Sequence, residues 1–474
     1  MKNDISIVWF RQDLRISDNP ALLEASQVGT ILPIYILDDC APKPFKIGNA
    51  TKVWLHHSVD KLNQSLDEKL NIYEGDSSAI ISELLKTYNI THVFWNSCYE
   101  PWHIEQENKI KSILDKNEIH YTEFNSNYLW RPDHIMKEDE SYYKVFTAYK
   151  KKSYTISSRK VVATPKKLIL LKDTQNKTNL KSLDLTPQNE WYTKIEAVWE
   201  IGEHAAHSKL HNFIEHKLSG YKLGRNYPNQ DHTSILSPHL HFGEISPAQI
   251  KEAVTTSGNL YANESDIEHF VSEVIWREFS CYLMYHFKKI HTDNVRPEFN
   301  HFPWKRDKKL LNAWQTGHTG YPLVDAGMRQ LWQTGYMHNR VRMVVASFLV
   351  KNLNIHWHHG RDWFWDCLVD ADLGNNSASW QWVAGCGVDA APYFRIFNPV
   401  LQSQKFDPQG EYIKQWVPEL KNVPAKWIHE PSMAPAGKLG LCLGKEYPHP
   451  IIDHDETRKT ALKMYASLKK HITE

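Results

Sequence analysis

The sequence predicts two domains: an amino-terminal α/β domain with a Rossmann-like parallel sheet, and an all-α carboxy-terminal domain. The chain has 474 residues, which is too long for a single hydrophobic core. Residues 1–125 alternate β-branched apolar runs with amphipathic stretches. From about residue 201 the apolar spacing becomes helical and Trp is frequent.

The first domain follows a strand–helix order. Such alternation predicts a parallel sheet with helices on both of its faces. No G-x-G-x-x-G motif follows the first strand, so the usual dinucleotide fingerprint is absent. The predicted strands are residues 5–10, 30–37, 72–74, 91–95 and 120–124, and the predicted helices between them are residues 51–66, 77–88 and 105–116.

Residues 126–200 are polar, Lys-rich and poorly periodic, so they predict a long connection between the domains. Residues 201–474 form the predicted helical domain. Its clearest periodic stretches are residues 267–287, 324–333 and 341–353.

Composition excludes several classes of protein. No window approaches 18 consecutive apolar residues, which argues against a membrane span. The first residues lack the layout of a signal peptide. The six Cys are scattered and no C-x-x-C occurs, which argues against disulfides and a metal site. These features predict a cytoplasmic protein.

Charge and aromatic content point in different directions. Lys+Arg total 56 and Asp+Glu total 55, so the whole chain lacks the basic bias that is usual for nucleic-acid binding. A DNA-binding function therefore requires the positive charge to be gathered on one face. The 18 Trp, 22 Tyr and 17 Phe suggest stacking or electron transfer, although many of these rings are expected in the core.

The most informative stretch is residues 370–399, which contains three Asp, three Asn and two Trp. Two upstream segments, IWREF at 275–279 and GYMHNRVRM at 335–343, add aromatic side chains and arginines. This combination suits an enzyme that holds a planar redox cofactor beside a nucleobase turned out of its stack.

These segments occur in an order that resembles the cryptochrome/photolyase family, most closely its class I-type bacterial photolyases for cyclobutane pyrimidine dimers. The chain ends without the extended tail that is common in signalling cryptochromes. The segments that carry the resemblance are IVWFRQDLRISDNPAL (7–22), the stretch 221–247 with its TSILS core, the stretch 317–343, DADLGNN (370–376), RIFNP (395–399) and YPHPIIDHDETRKTAL (447–462).

The resemblance implies that the helical domain binds FAD. Hydroxyl groups and N–H groups ahead of a helix suit the diphosphate, although a Ser or Thr there is also an ordinary helix cap. The residues implied for this part of the cofactor are Thr233, Ser234 and Ser237, with Tyr221, Arg225 and Leu236 as further contacts.

The family match also assigns groups around the flavin ring. Asp370 would form an ion pair with Arg342 beside the ring, and Asp372 would face its polar edge or the ribityl chain. Asn376 would lie opposite flavin N5, where a neutral amide can stabilise the reduced cofactor. Asn339 lies three residues before Arg342, so both are expected near one helix face. By themselves, the two aspartates are also consistent with a solvated turn or a helix cap.

The implied substrate is a cyclobutane pyrimidine dimer that is turned out of duplex DNA into a pocket. Trp276 and Trp382 resemble the aromatic walls of that pocket. Glu273 resembles the carboxylate that hydrogen-bonds the pyrimidines, and Asn339 and Met343 would complete the floor. A Glu and a Trp three residues apart also occur as a surface group and a core group.

The implied reaction is light-driven electron transfer from reduced FADH⁻ to the dimer and back. Trp380, Trp357 and Trp304 are spaced as in the family's chain of electron-transfer tryptophans, although each is also a plausible core residue.

The type of lesion and the contacts with DNA are predicted from individual residues. Photolyases for the (6-4) lesion resemble one another in a His-rich segment, whereas here Met343 stands where a second histidine would follow His338. This favours cyclobutane-dimer repair, and His338 is alternatively a structural residue. The residues predicted to contact DNA phosphates are Arg225, Arg277, Arg340, Arg395 and Lys405. The lysines at 150–152 in the connection are further candidates, although a run of lysines is usually a solvated face.

A second, light-harvesting chromophore is typical of the family, and its identity is left open here. Folate-carrying members often have an Asn-Glu pair where this chain has Trp102-His103. The candidates are methenyltetrahydrofolate, 8-hydroxy-5-deazaflavin, another chromophore, or none. Trp54 and Trp102 could stack on such a ring or belong to the core.

Three alternatives compete with a monomeric dimer-repair enzyme. A cryptochrome-type blue-light receptor would use the same flavin site, and a (6-4) photolyase would act on another lesion. A passive aromatic binder of single strands is disfavoured by the neutral overall charge.

Overall fold

A computed structural model describes residues 4–38, 40–176, 178–187, 190–393 and 395–473. The chain divides into two compact units. The first unit contains the residues up to Ser219 together with Ser234–Lys288 and Val369–Gly374. The second unit contains Gly220–Thr233, Lys289–Leu368 and the residues from Asn375 onward.

A parallel sheet forms the centre of the first unit. The strand order is β3-β2-β1-β4-β5, and a short sixth strand, β6, pairs with the start of β2, where Thr30 lies opposite Ile169. The predicted parallel α/β domain is therefore confirmed, and each predicted strand agrees with the observed one to within one residue at either end. The strands are β1 Ile5–Phe10, β2 Thr30–Leu37, β3 Asn71–Glu74, β4 Ile90–Asn96, β5 His120–Phe124 and β6 Ile169–Leu170.

The central strand of the sheet is buried on both faces. Ile7, Val8, Trp9 and Phe10 are consecutive residues of β1, and none is more than 1% exposed. A continuous apolar run of this kind is typical of a parallel strand that is covered by helices on both sides.

The predicted all-α second domain is confirmed by the helices that follow residue 201. The helix at Pro20–Val28 was not predicted, although Asn19 accepts a hydrogen bond from Leu22 N and Pro20 occupies the first turn. The first ten helices are α1 Pro20–Val28, α2 Asn49–Ser65, α3 Ser77–Thr87, α4 Pro101–Lys116, α5 Phe146–Ser153, α6 Tyr192–Glu196, α7 Glu203–His216, α8 Tyr221–Gly224, α9 Ser237–His241 and α10 Pro247–Thr256.

The remaining helices include the three that were predicted from periodicity. The predicted helix at 341–353 is observed as α14 followed by a π-helical turn at Phe348–Asn352. No helix among the described residues is both long enough and apolar enough to cross a membrane. The helices are α11 Glu264–His286, α12 Lys308–Gln315, α13 Pro322–Thr334, α14 Asn339–Ser347, α15 Trp357–Cys367, α16 Leu373–Ala384, α17 Pro399–Phe406, α18 Glu411–Trp416, α19 Ala425–Ile428 and α20 His454–Thr473.

Residues 126–200 lie in the first unit, and several of them are tied to its sheet. Arg159 forms an ion pair with the buried Asp18 at 2.5 Å, and Asp173 accepts hydrogen bonds from Tyr73 at 2.8 Å and Tyr88 at 2.7 Å. This polar segment has few local signals of secondary structure because its contacts are made with distant residues.

Candidate functional site

The predicted phosphate-binding hydroxyls surround a strained turn. Ile235 has φ +51°, a left-handed conformation that is costly for a β-branched residue. Leu236 is buried and precedes α9, whereas Ser234 is half-buried and Ser237 is exposed. Backbone strain of this kind is typical of functional turns, since surrounding contacts must maintain it.

Two buried aspartates belong to the same unit as this turn. Asp370 accepts a hydrogen bond from Ser237 Oγ at 2.6 Å, so that hydroxyl is directed towards a carboxylate. Asp372 Oδ2 lies 3.9 Å from His241 Nδ1. Both aspartates are 9% exposed, which excludes the alternative of a solvated turn. The predicted ion pair between Asp370 and Arg342 stays a prediction.

The charge of Asp372 affects two neighbouring ionisable groups. Burial is the main cause that raises the pKa of the Tyr128 phenol and the Cys281 thiol well above their ordinary values, and Asp372 adds to both effects. A buried carboxylate that perturbs two nearby groups is a candidate for binding a polar ligand edge.

Tyr221, Arg225 and Thr233 lie in the second unit. Tyr221 is buried in α8, and the Arg225 guanidinium lies 5.5 Å from the centre of its ring. Thr233 is half-buried. A Cβ on Gly224 would lie 2.5 Å from His232 Cγ, so the loop that leads to Thr233 folds closely back on α8.

Three arginines surround His338 at the start of α14. Its Nδ1 accepts a hydrogen bond from Arg340 N at 3.2 Å, which caps the helix. Burial, followed by the charges of Arg225, Arg340 and Arg342, lowers the pKa of His338 to about 3. The ring is neutral at physiological pH, which supports the structural alternative for this histidine.

The side chains of α14 extend the basic surface. Arg342 Nε donates to Met337 O at 2.7 Å, and Asn339 is exposed at the first position of the helix. The Arg340 guanidinium lies 4.6 Å from the Phe406 ring centre and 3.7 Å from Met343 Sδ. The half-buried Met343 therefore lies beside a cation.

The Asn376 amide has a defined orientation. Its Nδ2 donates to Arg361 O at 3.0 Å, and the side chain is buried. Since the NH₂ group is bound to a carbonyl, Oδ1 is the atom that can accept a hydrogen bond from a ligand.

The three predicted electron-transfer tryptophans occur in one unit. Trp380 is 2% exposed and packs against Phe364 and Trp314. Trp357 is fully buried, and its Nε1 donates to Asn294 Oδ1 at 2.8 Å. Trp304 is half-buried.

His356 connects the last two tryptophans. Its ring centre lies 5.8 Å from that of Trp357 and 5.2 Å from that of Trp304. The rings therefore lead from a buried position to a partly solvated one, as a surface-directed electron path requires. Sequence spacing did not indicate His356.

The predicted substrate residues of α11 have an aromatic neighbour that sequence reasoning missed. Trp276 is 37% exposed, and its ring is stacked on Phe146 with centroids 3.5 Å apart and planes 8° apart. Glu273 is half-buried one turn earlier. Phe146 lies in the Lys-rich segment, where its surroundings suggested only a solvated connection. Trp382, in the second unit, is half-buried.

The predicted DNA-binding residues differ in their availability. The Arg277 guanidinium donates to Asn127 O at 2.7 Å and Leu240 O at 3.2 Å, and its side chain is only 11% exposed. These contacts favour a structural role over a phosphate contact. Arg395 and Lys405 are exposed, and Arg225 and Arg340 are half-buried.

A second polar region lies at the carboxyl ends of β1 and β4. Arg11 forms an ion pair with Glu107 at 2.6 Å and donates to Asn96 O at 2.7 Å. Among the described residues, Arg11 Nη1, Ser97 Oγ and Gln106 Oε1 are buried without a hydrogen-bond partner. Buried donors and acceptors at the carboxyl edge of a parallel sheet suit a ligand or ordered water.

A Cys-x-Glu-x-x-His set follows β4, and a search for C-x-x-C would not find it. One ligand atom each from Cys98, Glu100 and His103 lie within 4.8 Å of one another. The Glu100 and His103 side chains already contact each other at 3.0 Å, and the Arg11 cation acts on Cys98. These contacts disfavour the binding of a metal ion, which would be a second cation beside Arg11.

Comparisons with known proteins agree with this arrangement. Residues 6–166 match the family described as DNA photolyase, and residues 270–467 match the FAD binding domain of DNA photolyase. The deoxyribodipyrimidine photo-lyase of Agrobacterium fabrum is 42% identical over 475 residues, with 98% of both chains covered. Cryptochrome-2 of Arabidopsis thaliana is 35% identical over 480 residues, which cover 97% of this chain and 78% of the relative.

Solved structures of a photolyase and of a cryptochrome are also similar to this chain. A class III photolyase from Agrobacterium tumefaciens has a TM-score of 0.95 at 42% identity, with 99% of this chain and 98% of the other covered. A cryptochrome from Synechocystis has a TM-score of 0.89 at 30% identity, with 98% and 100% covered.

Proposed function

The chain belongs to the cryptochrome/photolyase family, and we propose that it repairs cyclobutane pyrimidine dimers in DNA by light-driven electron transfer, with FAD as its cofactor. The solved relative at 42% identity is described as class III. The resemblance to class I-type enzymes in the sequence motifs therefore does not identify the subclass.

The residues present suit FAD. In the first unit, the strained turn at Ile235 and the buried carboxylates of Asp370 and Asp372 offer polar groups, and in the second unit the oriented amide of Asn376 offers another. We assign Thr233, Ser234, Ser237, Tyr221, Arg225 and Leu236 to the diphosphate side, and Asn339, Arg342, Asp370, Asp372 and Asn376 to the ring and ribityl side.

The chain's own residues would orient the cofactor and the lesion. Bound and reduced FAD supplies one electron to the dimer in light and recovers it after the ring splits. Asn376 Oδ1 would accept a hydrogen bond from the N–H group at flavin N5, since its NH₂ group is held by Arg361 O. Glu273 would hydrogen-bond the pyrimidines and stabilise the charge that develops on them.

Trp276 carries the proposal for repair. A Trp that is more than one-third exposed on a folded helix, one turn from Glu273, offers a flat apolar face to an unstacked base. Trp382, Asn339 and Met343 are the further proposed substrate contacts, and Arg225, Arg340, Arg395 and Lys405 the proposed phosphate contacts. Trp380, Trp357 and Trp304 are the proposed path that returns oxidised flavin to its reduced form.

The experiment is a repair assay with purified protein that carries reduced flavin. An oligonucleotide with one cyclobutane dimer is illuminated with blue light, and an identical sample is kept in the dark. We expect dimer loss in the light sample only. An oligonucleotide with a (6-4) lesion is the matched substrate control and should remain unchanged. Repair of the (6-4) lesion alone would overturn the choice of substrate.

The second candidate function is a blue-light receptor, which the cryptochrome relatives favour. A receptor would bind FAD and undergo photoreduction without repairing either lesion, so the same assay separates the two functions. A monomeric state and a cytoplasmic location stay predictions. The carboxyl edge of β1 and β4 is our candidate for the antenna chromophore, whose identity stays open between methenyltetrahydrofolate and a deazaflavin.

A further inference from the structure

Helix α5 runs antiparallel to α11 in a regular three-step register. Phe146 lies opposite Trp276, Lys150 opposite Ser272, and Tyr154 opposite Glu268. Each step is four residues along both segments, and four residues is the spacing at which helix side chains lie on one face. We call these three pairs the α5–α11 ladder.

The two lower steps of the ladder are polar and short. Lys150 Nζ lies 2.6 Å from Ser272 Oγ and 2.6 Å from Glu268 Oε1. Tyr154 OH donates to Glu268 Oε1 at 3.0 Å. Beside them, the buried Tyr149 packs against Phe279 with ring centres 5.0 Å apart. These contacts hold α5 in one register on α11.

The upper step covers one face of Trp276. The Phe146 and Trp276 rings are nearly parallel at a centroid distance of 3.5 Å, yet 37% of Trp276 is exposed. A base cannot stack on the covered face unless Phe146 leaves. A dimer would therefore meet the opposite face or edge of the indole.

We propose that Phe146 is a positioning residue for lesion recognition, because it holds the indole of Trp276 in the orientation that receives the pyrimidine dimer. This inference rests on the proposed function, in which Trp276 is a wall of the lesion pocket. An exposed Trp would otherwise populate several rotamers, and the stack removes that freedom before the substrate arrives.

The proposal also gives Lys150 a different role from that of a phosphate contact. Its ammonium group is held by Ser272 and Glu268, so it keeps the ladder in register. Glu273 follows Ser272 directly and precedes Trp276 by one turn. The ladder therefore fixes the stretch of α11 that carries both proposed lesion contacts.

The test compares Phe146→Leu, which removes the aromatic face, with Phe146→Tyr, which keeps it. Dissociation constants are measured in the dark for an oligonucleotide with one cyclobutane dimer and for its undamaged counterpart. Phe146→Leu should weaken dimer binding about three- to tenfold, as expected for loss of an aromatic pair, and Phe146→Tyr should stay within about twofold of the parent. Affinity for undamaged DNA, the melting temperature and the flavin content should not change.

A second variant tests the ladder without altering either ring. Lys150→Met should cause a smaller selective loss of dimer affinity. In the double variant Phe146→Leu/Trp276→Leu, the two losses should not add, since both remove the same stack.

Unchanged or tighter dimer binding by Phe146→Leu would overturn the proposal, tighter binding because it identifies Phe146 as a lid that the lesion displaces. An equal loss for damaged and undamaged DNA would also overturn it. Failure of the proposed function is recognised separately, because the parent protein itself would then show no preference for dimer-containing DNA.

Discussion

Gly360 and Trp380 are in steric contact to a degree that no other residue at position 360 would allow. A Cβ atom built on Gly360 would lie 2.1 Å from Cη2 of the Trp380 ring. Gly360 lies within α15, so the glycine is required by the approach of the ring rather than by its backbone conformation. The position of the first proposed electron-transfer tryptophan thus depends on a residue without a side chain.

We expect Gly360→Ala to displace Trp380 and to slow the light-driven reduction of oxidised flavin. Overpacking of a buried site typically destabilises a protein by about 1–3 kcal/mol. The free energy of unfolding comes from a urea titration, and photoreduction is followed by the loss of flavin absorbance.

The double variant Gly360→Ala/Trp380→Phe is the control for this prediction. The smaller ring leaves room for the new methyl group. The loss of stability in the double variant should therefore be smaller than the sum of the losses in the two single variants. Additive losses would show that the clash is relieved elsewhere in α15.

Trp357→Phe should abolish most of the photoreduction, because it removes the middle tryptophan of the proposed path, whose ring lies 5.8 Å from that of His356. It also removes the hydrogen bond to Asn294, which typically contributes about 1 kcal/mol. Transient absorption after a blue-light pulse measures the reduction rate. Trp427→Phe is the matched control, since Trp427 lies in α19 beside Lys426 and belongs to no part of the proposed path. Equal rates in both variants would refute the path.

His338 should make the folded protein sensitive to acid. Burial lowers the pKa of His338 to about 3, whereas a histidine in an unfolded chain titrates near its ordinary value of about 6.5. Between these values the unfolded state binds more protons, so the stability of the fold falls as the pH decreases.

The expected slope is about 1.4 kcal/mol per pH unit for this residue below pH 6.5. His338→Asn keeps an acceptor for the helix cap and should reduce the slope of unfolding free energy between pH 6.5 and 5. An unchanged slope would exclude His338 as a cause of acid sensitivity.

Glu278 should have the opposite pH dependence. Burial raises its pKa to about 8, although Arg277 and the N–H groups of Leu129 and Trp130 work against this shift. The folded state therefore holds a proton that the unfolded state has released between about pH 4.5 and 8, so stability falls as the pH rises through this range.

Glu278→Gln should remove this dependence. The stability of the variant relative to the parent should therefore be greater at pH 8.5 than at pH 6. Urea titrations at the two pH values provide the measurement. The exposed Glu83 supplies the control, Glu83→Gln, which should leave the difference between the two pH values unchanged. A steeper loss of stability in Glu278→Gln at high pH would contradict the prediction.

Local sequence patterns predicted the elements of both domains closely. The central strands β1 and β2 were found because each is a largely apolar run, as burial on both faces requires. Helix α1 was missed because it has only nine residues and its cap, Asn19-Pro20, lies directly after a polar loop. The two-residue strand β6 was missed because it is too short to show a period.

The candidate site was predicted only in part, because some of its contacts join residues that are distant in sequence. Motif order and residue type predicted roles for Asp370, Asp372, Asn376 and the three tryptophans, and these roles stay predictions. Motif order and residue type did not identify Phe146 or His356, whose rings acquire their neighbours from segments 130 and 52 residues away, Trp276 and Trp304. Arg277 resembled a phosphate contact in sequence, whereas its observed partners are two backbone carbonyls.

The sequence alone determined the family, the parallel sheet, the helical second domain and the type of cofactor, because these depend on periodicity and on motifs that are continuous along the chain. The tertiary structure decided which face of Trp276 is open, which atom of Asn376 is available, and why Gly360 must lack a side chain. Each of these depends on atoms from residues that are distant in sequence, and their approach is fixed only when the core is packed.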